Sequence, residues 1–314
     1  MGRFIVRRVL LAIPLLFLVS LAAFSLTWLL PGDPASAIGG IDSTPEQRAQ
    51  IRERLNLDDP APVRYLTWVG DAVTGDFGKS ALTERSVGDE IKRRLPITGS
   101  IALGSFVMGL VVGALIGLVQ GARAGRPIDK ALLAFVSIGL ATPGFWIATL
   151  FVTFFAVKLK WFPAIGYTAF SDSPGEWLKH AMLPMFTLAI LTWSEVARQL
   201  RTGLVSVLDQ DYIRAARARG LPNSRVVGKH ALKNAALPTL TIIGLRLGHL
   251  LAGSIIIENI FNIPGLGAYA LAAVQNRDVP IIQAVVLVSA TVVLLVNMVV
   301  DIAYAYVNPK VRVS

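Results

Sequence analysis

Residues 9–30 contain no charged side chain. About 20 apolar residues wound into a helix cover the ~30 Å hydrocarbon core of a bilayer. Inside hydrocarbon, a chain must satisfy its own backbone hydrogen bonds, which such a helix does. Arg3, Arg7 and Arg8 stand just before the run, and basic residues flanking a span hold that end on the cytoplasmic side. Further apolar stretches predict spans at 97–122, 131–157, 180–198, 234–257 and 279–306. The expected fold class is all-α: a polytopic membrane protein with six transmembrane helices. A signal peptide cleaved at Ala35-Ser36-Ala37 is the competing reading of the first run. The run is too long for a typical signal core, and more spans follow it.

Composition agrees. Charged residues make up 16% of the chain and hydrophobic ones 54%, whereas soluble domains carry about 25% charged residues. The net charge of +10 sits in short segments beside apolar runs, which is a topology signal and not a nucleic-acid stripe. There is no cysteine, so disulfides, thiolate metal sites and cysteine nucleophiles are excluded together.

Three domains are expected: 1–30, the N-terminus and first helix; 31–96, a small helical extracytoplasmic insert; and 97–314, a five-helix core with a cytoplasmic loop at 201–235. In the insert, Thr44-Pro45-Glu46-Gln47 reads as a capping box opening a helix to about residue 55. Amphipathic helices are expected over 63–73 and 86–94. Gly78-Lys79-Ser80 imitates the end of a P-loop. The first glycine of that motif would fall at Val73, so nucleotide binding is rejected there. Segments 158–179 and 258–278 complete the outside face, with both termini cytoplasmic.

In the second span, Ser105, Gly109, Gly113, Gly117 and Gly121 recur every four residues, a smooth stripe against which another helix can pack closely. Pro143-Gly144 interrupts the third span, a break of the kind that kinks a helix or lines a cavity. Arg246 and His249 fall inside the fifth span and Asn297 and Asp301 inside the sixth. Polar groups at such depth are candidates for lining a path, though a long basic side chain also snorkels to the interface.

Between the fourth and fifth spans lies a basic, helix-prone loop: Asp211, Tyr212, Arg214, Ala215, Ala216, Arg217, Arg219 and Gly220, continuing to Pro238. Helical spacing puts Tyr212, Ala215 and Ala216 on one face, where the two alanines admit close approach of another surface. Arg214 and Arg217 occupy a different face, suited to acidic or phosphate groups. Gly220 before Leu221-Pro222 reads as a left-handed helix stop.

The Ala215-Ala216…Gly220 pattern resembles the cytoplasmic EAA loop of ATP-binding-cassette (ABC) importer permeases. The longer string, adding Asp211-Tyr212, Ala218, Leu221, His230-Ala231-Leu232, Asn234 and Leu237-Pro238, resembles the dipeptide/oligopeptide/nickel branch, in its B-type permease. Arg214 stands where the general pattern has glutamate and Lys233 where it has proline; the peptide branch tolerates both. Further stretches are similar to that family: the N-terminal segment 3–34, Gly75-Asp76-Phe77-Gly78-Lys79-Ser80, Arg94-Leu95-Pro96 and Ala141–Trp146. So is the loop with Glu258, Phe261, Pro264, Gly265 and Gly267 followed by Arg277-Asp278.

The resemblance implies a permease subunit of an importer in a bacterial or archaeal inner membrane. Its implied partners are a homologous second permease in a heterodimer, two ABC ATPases, an extracytoplasmic binding protein and the lipid membrane, with no nucleic acid. Residues 211–220 would form a coupling helix docked on an ATPase. The 258–267 loop would face the binding protein or gate the path, its glycines and proline suiting a sharp re-entrant turn. The chain itself would hold no cofactor, no metal and no catalytic residue; ATP and Mg would bind the partner ATPases. Peptides are the implied solute, with nickel chelates, glutathione or another small solute as alternatives. An intramembrane enzyme or a standalone secondary transporter is the reading from a different class. Against these, there is no HExxH, no GxSxG beside His249 and no convincing internal repeat.

Overall fold

The computed structural model describes residues 2–26, 35, 43–54 and 57–307. Among these, regular structure is helical apart from one isolated antiparallel bridge between Lys79 and Ser86. Three described helices are long and apolar enough to cross a bilayer: α1 (Gly2–Ser25), α4 (Val87–Ala122) and α11 (Val279–Val307). Between α1 and α4 lie α2 (Pro45–Arg54) and α3 (Ala61–Thr74). The capping box opening α2 is reciprocal: Gln47 N–H donates to Thr44 Oγ1 at 3.3 Å, and Thr44 N–H donates to Gln47 Oε1 at 2.9 Å.

The expected helix at 86–94 and the expected second span are one element. α4 runs for 36 residues straight through Pro96. A proline removes one intrahelical bond and disfavours helix in the residue before it. Here burial overrides that preference: Ile91 and Leu95 pack into a cluster with Leu266, Ala273, Ile281, Ala284 and Val285.

The third expected span is broken outright. α5 (Pro127–Ala141) and α6 (Gly144–Phe151), the latter continued by a π-helical stretch to Lys158, are bent by 105°. Thr142 softens the break locally, its hydroxyl and N–H both donating to the Ile138 carbonyl, at 2.7 and 3.0 Å. Taken as one broken span, this pair is a fourth crossing. α7 (Pro174–Leu208) begins earlier than expected because Ser173 caps it, accepting the Glu176 N–H at 3.4 Å, with Pro174 in the first turn. Then come α8 (Asp211–Ala218), a single turn at Asn223–Arg225, a π-helical stretch Val226–Ala231, α9 (Leu232–Ile260) and α10 (Leu266–Gln275).

The chain divides into two units. One comprises residues 1–98 and 264–295, the other residues 99–263 and 296–314. In the first, the cluster around Val87 and Ile91 is the core, and α3 leans on α1 through Tyr65, whose ring meets Phe24 edge-on at 5.5 Å. In the second, α7 is the central helix and α4 packs along it backbone to backbone. A Cβ added at Gly109 would lie 2.6 Å from Thr192 Cβ, at Gly113 2.7 Å from the Trp193 carbonyl oxygen, and at Gly117 2.8 Å from the Ala197 carbonyl oxygen. The glycine stripe is therefore a contact within this chain.

Candidate functional site

The basic loop is built on the end of α7. Leu200 and Leu204 are buried there, and Ile213 and Ala216 of α8 pack on them together with Val226, Val227, Ala231 and Ala235. Ile213 is fully buried. The i, i+3 spacing of Ile213 and Ala216 was a legible signal for this inward face, and residue-type reasoning passed over it. The expected grouping of the two alanines is corrected accordingly. Ala216 points into the protein, while Ala215 stays exposed with Asp211, Tyr212, Arg214, Arg217, Arg219 and Gly220.

The helix stop is as expected. Gly220 has φ +77°, its N–H donates to Arg217 O at 2.9 Å, and the Leu221 N–H donates back to Ala216 O at 3.3 Å. This is a Schellman end, which satisfies carbonyls the helix would otherwise leave orphaned. Tyr212 is tied down as well, its hydroxyl accepting Asn234 Nδ2–H at 2.9 Å. Arg214 meets Asp211 at 3.3 Å on an open surface, an ion pair worth little by itself. The result is a short helix with a seated apolar edge and a preformed, cationic outer face.

The loop after α9 is shaped differently from the expectation. Its positive φ is carried by Asn262 (+50°), not by a glycine. Ile263 N–H donates to Glu258 O at 2.8 Å, and Asn262 N–H to Asn259 O at 3.2 Å, so α9 also ends in a Schellman motif. Glu258 and Phe261 are buried, and the Phe261 carbonyl accepts the Gly166 N–H at 2.9 Å. Pro264 is exposed; Gly265 and Gly267 are buried at the start of α10. The first turn of α10 is capped by Thr98, whose hydroxyl accepts the Leu266 N–H at 2.8 Å.

Three stretches singled out separately in the sequence, 75–80, 94–96 and 277–278, meet in the first unit. Ser80 donates to the buried Asp278 carboxylate at 2.5 Å, which also accepts the Ala81 N–H at 3.3 Å. Arg94 pairs with Glu90 at 3.0 Å and lies over the Tyr269 ring, 4.6 Å from its centroid. These groups border a cavity of about 180 Å³. Burial pushes the Tyr269 phenol up to about 12, and the nearby Glu90 and Asp278 carboxylates add to the effect. The phenol is thus neutral at any physiological pH.

Of the four polar residues expected to line a path, the side chains of Arg246 and His249 lie outside the described residues. Asn297 and Asp301 are half-buried on α11, one turn apart. Among the described residues, no group of three or more His, Cys, Asp or Glu side chains could hold a metal.

Residues 109–313 match the family described as binding-protein-dependent transport system inner membrane component, and residues 1–102 match the N-terminal family of such membrane components. The chain is 36% identical to a probable peptide ABC transporter permease protein of Sinorhizobium fredii, over 99% of this chain and all of the relative. It is 38% identical to a putative peptide transport system permease protein of Brucella abortus and 37% identical to the glutathione transport system permease protein GsiC of Escherichia coli, with 99% of each chain covered. A solved structure of the MetNI methionine ABC transporter in an inward-facing conformation has a similar fold. Its TM-score is 0.57 at 17% identity, covering 70% of this chain and 96% of that one.

Proposed function

This chain belongs to the family of binding-protein-dependent transport system inner membrane components and is a permease subunit of an ABC importer; from that premise we propose that it forms half of a path for peptides and couples that path to ATP hydrolysis. Relatives named for peptides and for glutathione, itself a small peptide, support this solute class. The path is completed by a homologous second permease, solute is delivered by an extracytoplasmic binding protein, and two ATPases bind ATP and Mg. Both termini face the cytoplasm, the six expected spans cross the membrane, and the 31–96 insert faces outside with the 258–267 loop. Arg246, His249, Asn297 and Asp301 are the candidates for lining the path, and this chain supplies no catalytic residue.

The observation carrying the proposal is α8 itself. A helix of eight residues has no independent stability in water. This one is held by Ile213 and Ala216 and closed by Gly220, so its cationic outer face is fixed before any partner arrives. A pre-organised surface spends less free energy on ordering when it binds.

Gly220→Val tests it. A Cβ at Gly220 meets nothing within 4 Å, so the cost is the left-handed backbone alone, about 1–2 kcal/mol. We expect the variant to reach the membrane but to lose ATPase binding and solute uptake in vesicles. Normal ATPase pull-down with full uptake would mean that residues 211–220 are only a charged connector.

A further inference from the structure

We propose that Asp129 and Arg201 form the mechanical tie that passes movement of α8 into the broken helix α5–α6, and that both are positioning residues for coupling. The inference rests on the coupling role proposed above for α8.

The two residues stand 72 positions apart in sequence. Arg201 Nε donates to Asp129 Oδ1 at 2.7 Å, and Nη2 donates to Oδ2 at 2.7 Å. Two parallel bonds between a planar guanidinium and a carboxylate fix orientation as well as distance. Asp129 is 1% exposed. It also accepts the Gly125 N–H at 2.9 Å, which ties in the turn where Gly125 has φ +79°. It sits in the first turn of α5, where a carboxylate faces the positive end of the helix. One buried side chain thus stitches the 123–126 turn, the start of α5 and the end of α7.

The location makes this more than a structural staple. Arg201 lies between Leu200 and Leu204, two buried residues of α7 in the cluster that seats Ile213 and Ala216 of α8. A push on α8 therefore arrives on α7 next to Arg201. At the other end of the tie, α5 leads into the 105° break at Thr142-Pro143. A helix bent that far without a continuous bond ladder is where angular change meets least resistance. Beyond the break, α6 returns to α7 through Ile147, which packs with Ala189, Ile190 and Trp193. With α5 pinned at its start by the ion pair and α6 held by apolar packing, a shift of the α7 end alters the angle between them.

The test uses the complete transporter in proteoliposomes, with peptide uptake and ATP hydrolysis measured on the same sample. Asp129→Asn keeps the shape but loses the charge and one acceptor oxygen; Arg201→Lys keeps the charge but cannot fork. We expect both variants to bind the ATPases and hydrolyse ATP, with peptide moved per ATP falling at least tenfold for Asp129→Asn and less for Arg201→Lys. Because the chain has no cysteine, Asp129→Cys with Arg201→Cys adds a unique pair. Bridging it with a short bis-methanethiosulfonate should recover transport per ATP, while each single-cysteine variant treated alike should not recover. An unchanged ratio in Asp129→Asn overturns the proposal, and so does a bridged double variant that stays uncoupled. Loss of folded protein in Asp129→Asn, together with a double-cysteine variant that stays unfolded before and after bridging, assigns the pair to stability alone and also overturns it. Failure of the unmutated chain to bind the ATPases through α8 would instead refute the coupling role itself.

Discussion

Gly113→Ala and Gly99→Ala place the same methyl group on the same helix, and opposite effects are expected. At Gly99 an added Cβ meets nothing within 4 Å. The substitution then acts only through helix propensity and should stabilise by about 0.5–1 kcal/mol. At Gly113 the Cβ would sit 2.7 Å from the Trp193 carbonyl oxygen, 2.8 Å from Val196 Cβ and 2.9 Å from Trp193 Cα. Comfortable carbon contacts lie near 3.5–4.0 Å, so α4 must back away from α7 by roughly 0.7 Å. Two of the three obstructing atoms are backbone, and no rotamer change relieves them. Overpacking of this kind costs about 1–3 kcal/mol, against which propensity returns at most about 1 kcal/mol. The two variants should therefore differ by about 1–3 kcal/mol, or several degrees in melting temperature. The assay is a thermal series on detergent-purified protein, read by the fraction surviving size-exclusion chromatography. Gly113→Leu should yield little folded protein. If Gly113→Ala melts at or above Gly99→Ala, the α4–α7 contact is not as close as described and the reasoning fails.

Reporter fusions should read cytoplasmic beside Arg217 and outside within 31–96, 158–179 and 258–278; an outside signal at Arg217 would reverse the orientation and remove the coupling role. Ala215→Trp should leave thermal stability unchanged and abolish ATPase pull-down, whereas Ala216→Trp should lower stability by about 1–3 kcal/mol through overpacking beneath α8; equal effects in both assays would contradict the division of the two faces. Asp278→Asn should cost about 1–3 kcal/mol by leaving the buried contact with Ser80 imperfectly paired, detected as faster limited proteolysis within 79–86. An unchanged cleavage rate there would show that the Asp278 carboxylate does not hold this segment.

Much of the local structure was legible because its causes are local. The Thr44 capping box, the interruption at Pro143-Gly144 and the left-handed Gly220 each depend on residues within one or two turns. The glycine stripe was readable as a contact surface, but its partner was not, because nothing near Gly113 names Trp193 or Val196. The same limit hid the Asp129–Arg201 pair, whose members lie on two different helices, 72 positions apart, until folding brings them together. Pro96 misled for the converse reason. Its local preference is to end a helix, and the burial of Ile91 and Leu95 that overrides it comes from segments far along the chain. In the basic loop the alanines and arginines make the visible pattern, yet Ile213, the apolar residue beside them, does the anchoring.

The glycine stripe also bears on how the chain is made. Glycine has no side-chain rotamers to freeze, so joining α4 to α7 along these positions forfeits little conformational entropy, and close backbone approach supplies the attraction. But α7 is the later product of the ribosome. At about 5–20 residues per second, on the order of ten seconds separates completion of α4 from completion of α7. For that interval the stripe waits in the bilayer as a bare groove, and α5 and α6 emerge in between. Those two helices face α7 with larger side chains, including Phe135, which stacks on Trp193 at 6.5 Å, and Ile147. Bulk of that kind does not fit a groove cut for backbone, which leaves the stripe available for the helix that belongs there.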